Sequence, residues 1–336
     1  MIFMDLGKIE KVLKNEPSFR LKQARKAVFQ DLTDDWNEAT VLPLALRKKL
    51  SEDCSLKING EVLTSTDSKT AKALITLEDG LRVETVLMRY SDRNTICVSS
   101  MVGCPLACEF CATGKMGFKR NLTANEIIEQ VLFFNRYLKK FSQRINSAVF
   151  MGMGEPFLNY DSVMTAIKVL NGKDGFNIGA RHISISTAGI IEGIKKLTEE
   201  KLQVNLAISL HAPNDILRSK IMPVNKKYAL ASVLTAVEEY AEKTRRKVMF
   251  EYIMIQGVND GIEQAGELIR LLSNFRKSLY MINLIMYNPT GFLKPSKKES
   301  IDNFRKILEE VGVEVVERFR FGQGIHAACG QLAVNK

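Results

Sequence analysis

The chain has 336 residues, 46% hydrophobic and 26% charged, with 48 Lys+Arg against 38 Asp+Glu and a formal net charge of +10. That composition excludes a disordered or fibrous chain, and at this length about three quarters of the unfolded surface can be buried without disulfide staples. The longest charge-free run, 278–293, is too short and too polar to span a bilayer, and the first ten residues, with Asp5, Lys8 and Glu10, lack a signal peptide's apolar stretch. The expectation is a cytosolic protein, no membrane association, and an anionic partner.

In chain order, Glu16-Pro17-Ser18-Phe19 predicts a helix start with proline in the first turn. Leu21, Ala24, Ala27 and Val28 would form its apolar face, and Arg20, Lys22, Arg25 and Lys26 a basic outer face. Runs 73–78 and 81–88 flank Asp79-Gly80, a hairpin signal. From Thr95, strands predicted at 95–99, 147–151, 182–186, 204–209, 248–255, 280–285 and 313–316 alternate with helical patterns. Thr123 and Glu126 form a capping box before Ile127, Ile128, Val131 and Leu132. Ile262, Ala265, Leu268, Ile269 and Leu272 keep a helical period, as do Ile301, Phe304, Ile307, Leu308 and Val311 before Gly312. This alternation predicts an α/β fold with a parallel sheet, closed into a full or partial barrel. Function in such barrels sits at the C-terminal ends of the strands.

The six cysteines are Cys54, Cys97, Cys104, Cys108, Cys111 and Cys329. In a cytosolic chain they favour metal binding or catalysis over a disulfide framework. Cys104, Cys108 and Cys111 make a C-x3-C-x2-C cluster just after the first predicted strand of the barrel. A structural zinc would need a fourth ligand, which Cys97 or Cys329 could supply. Three thiolates also suit a [4Fe–4S] cluster with one iron left open, and the aromatic Phe110 before the last cysteine favours that reading. Met151-Gly152-Met153-Gly154-Glu155-Pro156, Ser186-Thr187-Ala188-Gly189, Ser209-Leu210-His211 and Asn288-Pro289 likewise follow predicted strands. Glycines after a strand commonly only form turns, and a lone histidine is commonly structural. Their shared placement is what raises them to candidates.

The cysteine motif resembles that of the radical S-adenosylmethionine (SAM) superfamily. With Glu84-Thr85-Val86, Cys97-Val98-Ser99-Ser100, Gly117-Phe118-Lys119-Arg120-Asn121-Leu122-Thr123, Met151–Pro156, Ser209–Asp215 and Ala327-Ala328-Cys329-Gly330-Gln331-Leu332, the chain resembles the RNA adenine methyltransferases of RlmN type. That resemblance extends over nearly the whole chain. It implies a partial (β/α)6-type, TIM-like barrel at 91–320. A small accessory RNA-binding domain would precede it at 1–90, and a tail would follow at 321–336.

The resemblance further implies methylation of adenine C2 in 23S rRNA, and in tRNA, with SAM consumed twice per turnover and an electron donor such as flavodoxin. It implies a [4Fe–4S] cluster on Cys104, Cys108 and Cys111, and SAM contacts from Gly154, Glu155, Ser186, Ser209, Leu210, His211 and Asn288. Cys329 would carry the methyl group, Glu84 would accept a proton, and Cys97 would close a transient disulfide with Cys329. Lys115, Lys119 and Arg120 would be phosphate contacts, Cys54 would be structural, and the protein a monomer. Two other readings stand beside this one: adenine C8 methylation, as in the related Cfr-type branch, and a non-catalytic zinc-containing RNA-binding protein. The tail departs from the family where Gly324 and His326 replace residues that are commonly acidic.

Overall fold

Apolar runs bounded by turn residues form the strands, and the amphipathic stretches between them form helices that cover one face of the sheet. The computed structural model describes residues 5–334. Its strands are β1 (Gly60–Thr64), β2 (Thr70–Thr76), β3 (Arg82–Arg89), β4 (Asn94–Cys97), β5 (Met101–Gly103) and β6 (Phe118–Asn121). They continue with β7 (Ser147–Phe150), β8 (Ile183–Thr187), β9 (Asn205–Ser209), β10 (Val248–Met254), β11 (Tyr280–Met286) and β12 (Val315–Glu317). One ten-stranded sheet runs β1-β2-β3-β4-β7-β8-β9-β10-β11-β12 and is open, while β5 and β6 form a separate antiparallel pair. From β4 to β12 every pairing is parallel. The barrel is thus a partial one.

The hairpin at Asp79-Gly80 forms as expected, with Gly80 at φ +78 and β2 and β3 in antiparallel register. It is continuous with the barrel, because β3 pairs with β4. Residues 60–89, grouped by sequence with the accessory segment, therefore extend the edge of the main sheet. Helices Leu6–Val12, Ser18–Phe29 and Leu44–Asp53 make up the remainder of that segment. Pro17 stands just outside its helix, at the capping position, rather than in the first turn. Cys54 is buried there and its sulfur accepts a hydrogen bond from the Asp5 backbone N–H at 3.3 Å. The segment docks on the barrel helix Ala124–Lys139 through Arg136, which donates to the carbonyls of Leu56 at 2.6 Å and of Thr33.

Three strands were not legible in the sequence. β1 is exposed along its length and exists only as an edge strand on β2. β5 and β6, three and four residues long, are too short to show alternation, yet they bracket the cysteine loop. Elsewhere alternation sets the two faces of the barrel wall. Ile183 and Ile185 of β8, Ile208 of β9 and Phe250 of β10 are buried in the hydrophobic core. The alternate set, Ser186, Ser209, Glu251 and Ile253, points into the barrel and lines its cavity. Polar residues on the inner face include Ser186 and Ser209 at their strand ends and Glu251 midway along β10, and the site lies where they meet.

Candidate active site

Cys104, Cys108 and Cys111 lie on the loop that leaves β5, and all three line one large cavity at the C-terminal end of the parallel strands. The loop is closed at its base by the Cys104 N–H donating to the Gly117 carbonyl at 3.0 Å. Burial pushes the Cys104 thiol up to about 12 and Cys108 well above its ordinary value, with Cys111 adding to both rises and Cys104 to that of Cys108. Such thiols lose their protons only to a cation that replaces them. Among the described residues no three His, Cys, Asp or Glu side chains converge as a single metal ion requires. The three thiols share one cavity, and a donor set of three thiolates matches a [4Fe–4S] cluster with one iron left open, whereas a structural zinc would want a fourth ligand.

The wall beside this loop comes from the strand ends. After β7, Gly154 adopts φ +102, and a Cβ there would lie 2.6 Å from the Met101 Cβ. Only glycine lets the chain turn that close to β5, and the turn aims the next residue, Glu155, inward. Glu155 is buried, with one oxygen accepting from the Ala188 N–H at 2.8 Å and the other from the Phe157 N–H at 3.0 Å. Burial pushes its carboxyl up to about 7 against those two hydrogen bonds. A Gly154→Ala substitution is expected to cost ~3 kcal/mol or more, combining left-handed strain with overpacking. Urea unfolding monitored by circular dichroism would show it; an unchanged midpoint would contradict this account of the loop.

Ser186 at the end of β8 donates to Glu251 on β10 at 2.8 Å and lies 3.4 Å from the Ser209 hydroxyl. The second Glu251 oxygen takes a hydrogen bond from Arg318 at 3.0 Å. His211, at φ +59, accepts the Ile253 N–H on Nδ1 at 3.1 Å and packs edge-on to Phe110 with ring centroids 4.9 Å apart. Burial and the nearby Arg218 push His211 down to about 3, so it is neutral at physiological pH, with its proton on Nε2.

The chain's last turn folds back over this cavity. The Ala112 N–H beside the cysteine loop donates to the Gly330 carbonyl at 2.8 Å, and the Thr113 hydroxyl donates to the Leu332 carbonyl at 2.5 Å. Asn288 donates to the Cys329 carbonyl at 3.1 Å, and the Ala333 N–H donates to Glu84 at 2.9 Å. Cys329 is thereby held at the cavity mouth, open to solvent on one side. Cys97, at the end of β4, lines the same cavity, and no disulfide joins the two. Burial pushes the Cys97 thiol up to about 12, with Cys329 adding to the rise, and burial also raises Cys329. Burial works against the charge on Arg318, but Cys329, Glu251 and Cys97 around it hold its pKa above the ordinary value.

Gly154, Glu155, Ser186, Ser209, His211 and Asn288 all line this cavity together with the five cysteines. Leu210 does not; it is fully buried behind the wall, its carbonyl accepting from Arg218 at 3.0 Å. Glu84 does not line the cavity either, although Val86 and Met88 on the same face of β3 do. It forms an ion pair with Lys72 at 2.8 Å, and burial still raises its carboxyl. Lys115 and Lys119 are exposed, Lys115 also donating to the Thr290 carbonyl at 3.2 Å, whereas Arg120 is engaged by Asp79 at 2.6 Å and Glu126 at 2.7 Å. Sequence reasoning missed Lys72, Glu251 and Arg318. Lys72 and Glu251 stand inside strands, where the one usable signal was a charge within an otherwise apolar run.

A model of the radical SAM superfamily matches residues 98–272. A probable dual-specificity RNA methyltransferase RlmN of Dictyoglomus thermophilum is 44% identical over 99% of this chain and 96% of its own. The protein of the same description from Carboxydothermus hydrogenoformans is 44% identical over 98% of this chain and 97% of its own. The crystal structure of a radical SAM methyltransferase from Sphaerobacter thermophilus superposes with a TM-score of 0.94 at 39% identity, covering 100% of both chains. The cysteine loop, the strand-end wall and these matches lead to one assignment: the chain is an enzyme of the radical SAM superfamily and, within it, belongs to the RlmN family.

Proposed function

We propose that the protein methylates adenine C2 of RNA, in 23S rRNA and tRNA, through an S-methylated Cys329. The observation that carries this reading is the gathering of Cys97, Cys104, Cys108, Cys111 and Cys329 around one cavity, with Cys329 on a tail pinned beside the cysteine loop. Adenine C2 is electron-poor and offers no lone pair to a methyl donor, so direct displacement at SAM has no nucleophile. A thiol does, and Cys329 would take the first methyl group.

Cys104, Cys108 and Cys111 would hold a [4Fe–4S] cluster, which when bound reductively cleaves a second SAM and so supplies the radical that activates the Cys329 methyl group. Around it, Glu155 and Asn288 offer a carboxylate and an amide to an amino-acid moiety, and the Ser186–Glu251 pair offers acceptors to hydroxyl groups. The Cys329 methylene radical then adds to C2 of the base, and the odd electron left on the adduct needs an acceptor, which the oxidised cluster would supply. Glu84 receives the C2 proton, for which the Ala333 contact must open. Cys97, as its thiolate, attacks the Cys329 sulfur: the disulfide forms, the sulfur–carbon bond breaks, and the base–CH2 fragment leaves with the electron pair delocalised into the ring and takes a proton to become the methyl group.

Anaerobic reconstitution with iron and sulfide, followed by SAM, a reductant and an rRNA fragment, tests the proposal. Nucleoside mass spectrometry is expected to show 2-methyladenosine; 8-methyladenosine would transfer the reading to the Cfr-type branch. A colourless protein with zinc and no iron would remove both. The exposed Lys115 and Lys119 are expected to contribute to phosphate binding, so RNA affinity should fall with added salt. Replacing both by alanine should shallow the slope of log K against log[salt] by about one to two units. An unchanged slope would take these lysines out of the interface.

A further inference from the structure

We propose that Phe319 is a stacking platform for the RNA base next to the target adenine. The proposal rests on the functional reading above and deepens it. Phe319 is 65% exposed, although it lines the same cavity as Cys329. A lone exposed phenylalanine needs no explanation, but this one packs against further rings on its inner side. Its ring packs on Phe321 at 4.9 Å between centroids, and Phe321 packs on Tyr90 at 4.6 Å. Arg93 in turn covers the Tyr90 ring at 4.1 Å. The result is a row of tilted and edge-to-face aromatic contacts with its outermost member facing solvent at the lip of the reaction cavity. Arg320, exposed beside it, is steadied by Asn288 at 3.1 Å and brings positive charge to the same lip.

The chemistry supplies the occupant. Adenine C2 cannot approach the Cys329 sulfur while the base remains stacked, so the nucleotide must swing out, at a cost of unstacking. Its former neighbour is left with one bare π-face. Phe319 offers an exposed aromatic surface to that face, and Arg320 a cation to the adjoining phosphate. The target base itself goes deeper, because its reacting carbon must come within bonding distance of Cys329. Phe319 therefore acts in binding and in holding the open RNA conformation, not on the reacting atoms.

The test uses the reconstituted enzyme. Phe319→Ala is expected to raise KM for the RNA roughly fivefold to 100-fold while leaving kcat nearly unchanged. Phe319→Leu, which keeps apolar bulk without a π-face, should behave like the alanine variant. Phe319→Trp should preserve activity, and its fluorescence should be quenched on mixing with a short adenosine-containing RNA. The native Trp36 is buried and gives a constant background in the parent protein. Placing an abasic nucleotide beside the target adenosine should remove the quench. A KM unchanged in Phe319→Ala, or a quench that survives the abasic substitution, would overturn the platform while leaving RNA methylation standing. A parent enzyme that methylates no RNA would instead bring down the functional reading, and the platform with it.

Discussion

Cys329→Ala is expected to abolish methyl transfer to RNA, a loss of ~10^4-fold or more, because no other group can carry the carbon. The variant should nonetheless fold and load normally. The tail is held by backbone atoms: the Gly330 and Leu332 carbonyls, the Cys329 carbonyl and the Ala333 N–H. None of these contacts uses the Cys329 side chain. The cluster cysteines form a separate set, so iron content, the cluster absorbance and SAM affinity should match those of the parent. A normal spectrum with no methylated nucleoside is the expected pair of results. A Cys329→Ala enzyme that still methylates adenine would sink the S-methylcysteine route. Cys97→Ala should fail differently: without its sulfur the Cys329–carbon bond is not displaced, and an RNA–protein adduct should accumulate on denaturing gels.

The parts of this site that could be read from the sequence are those whose chemistry is local. Cys104, Cys108 and Cys111 sit within one loop, and the strand-end glycines and Glu155 sit within another. A spacing rule or a strand-end rule therefore reaches them. What escaped is long-range. Glu251 and Arg318 meet across 67 positions, and Lys72 reaches both Glu84 and the His326 carbonyl at 3.3 Å. Those pairings depend on which strands become neighbours. The parallel order from β4 onward was anticipated from strand–helix alternation and the β2–β3 hairpin from Asp79-Gly80, but the β1 edge strand and the pairing of β3 with β4 were not. An exposed edge strand such as β1 carries no apolar pattern to read. The same limit applies to Arg120. By composition it was one more cation for RNA, and only its placement between Asp79 and Glu126 shows that it closes the structure around the capping box.

Arg218 supplies the second large expectation, this one on stability. Its side chain is fully buried. It donates to the carbonyls of Ala188 at 2.7 Å, Ser209 at 3.0 Å and Leu210 at 3.0 Å, and to the Asn225 amide oxygen at 2.9 Å. Ala188 lies just beyond the end of β8, and Ser209 and Leu210 lie at the end of β9. One guanidinium thus ties two adjacent strand ends to the helix Asp215–Ile221 that follows them. Burial pushes its pKa down to about 10, so it remains charged at neutral pH, with Cys108 and Asp215 favouring that charge. Arg218→Leu fills much of the volume but leaves these oxygens facing an apolar side chain, with the Leu210 carbonyl keeping a second partner in the Ala212 N–H at 2.8 Å. The expected cost is ~3–5 kcal/mol, the range for breaking a buried charged network from one side. Because the freed carbonyls belong to the wall that carries Ser186, Ser209 and His211, SAM affinity should fall together with the unfolding midpoint. Arg218→Lys restores the charge but cannot span the acceptors on both strand ends, so it should recover only part of either quantity. If the leucine variant unfolded at the parent's urea midpoint, the strand ends would have to be held by packing alone, and Arg218 would lose its structural role.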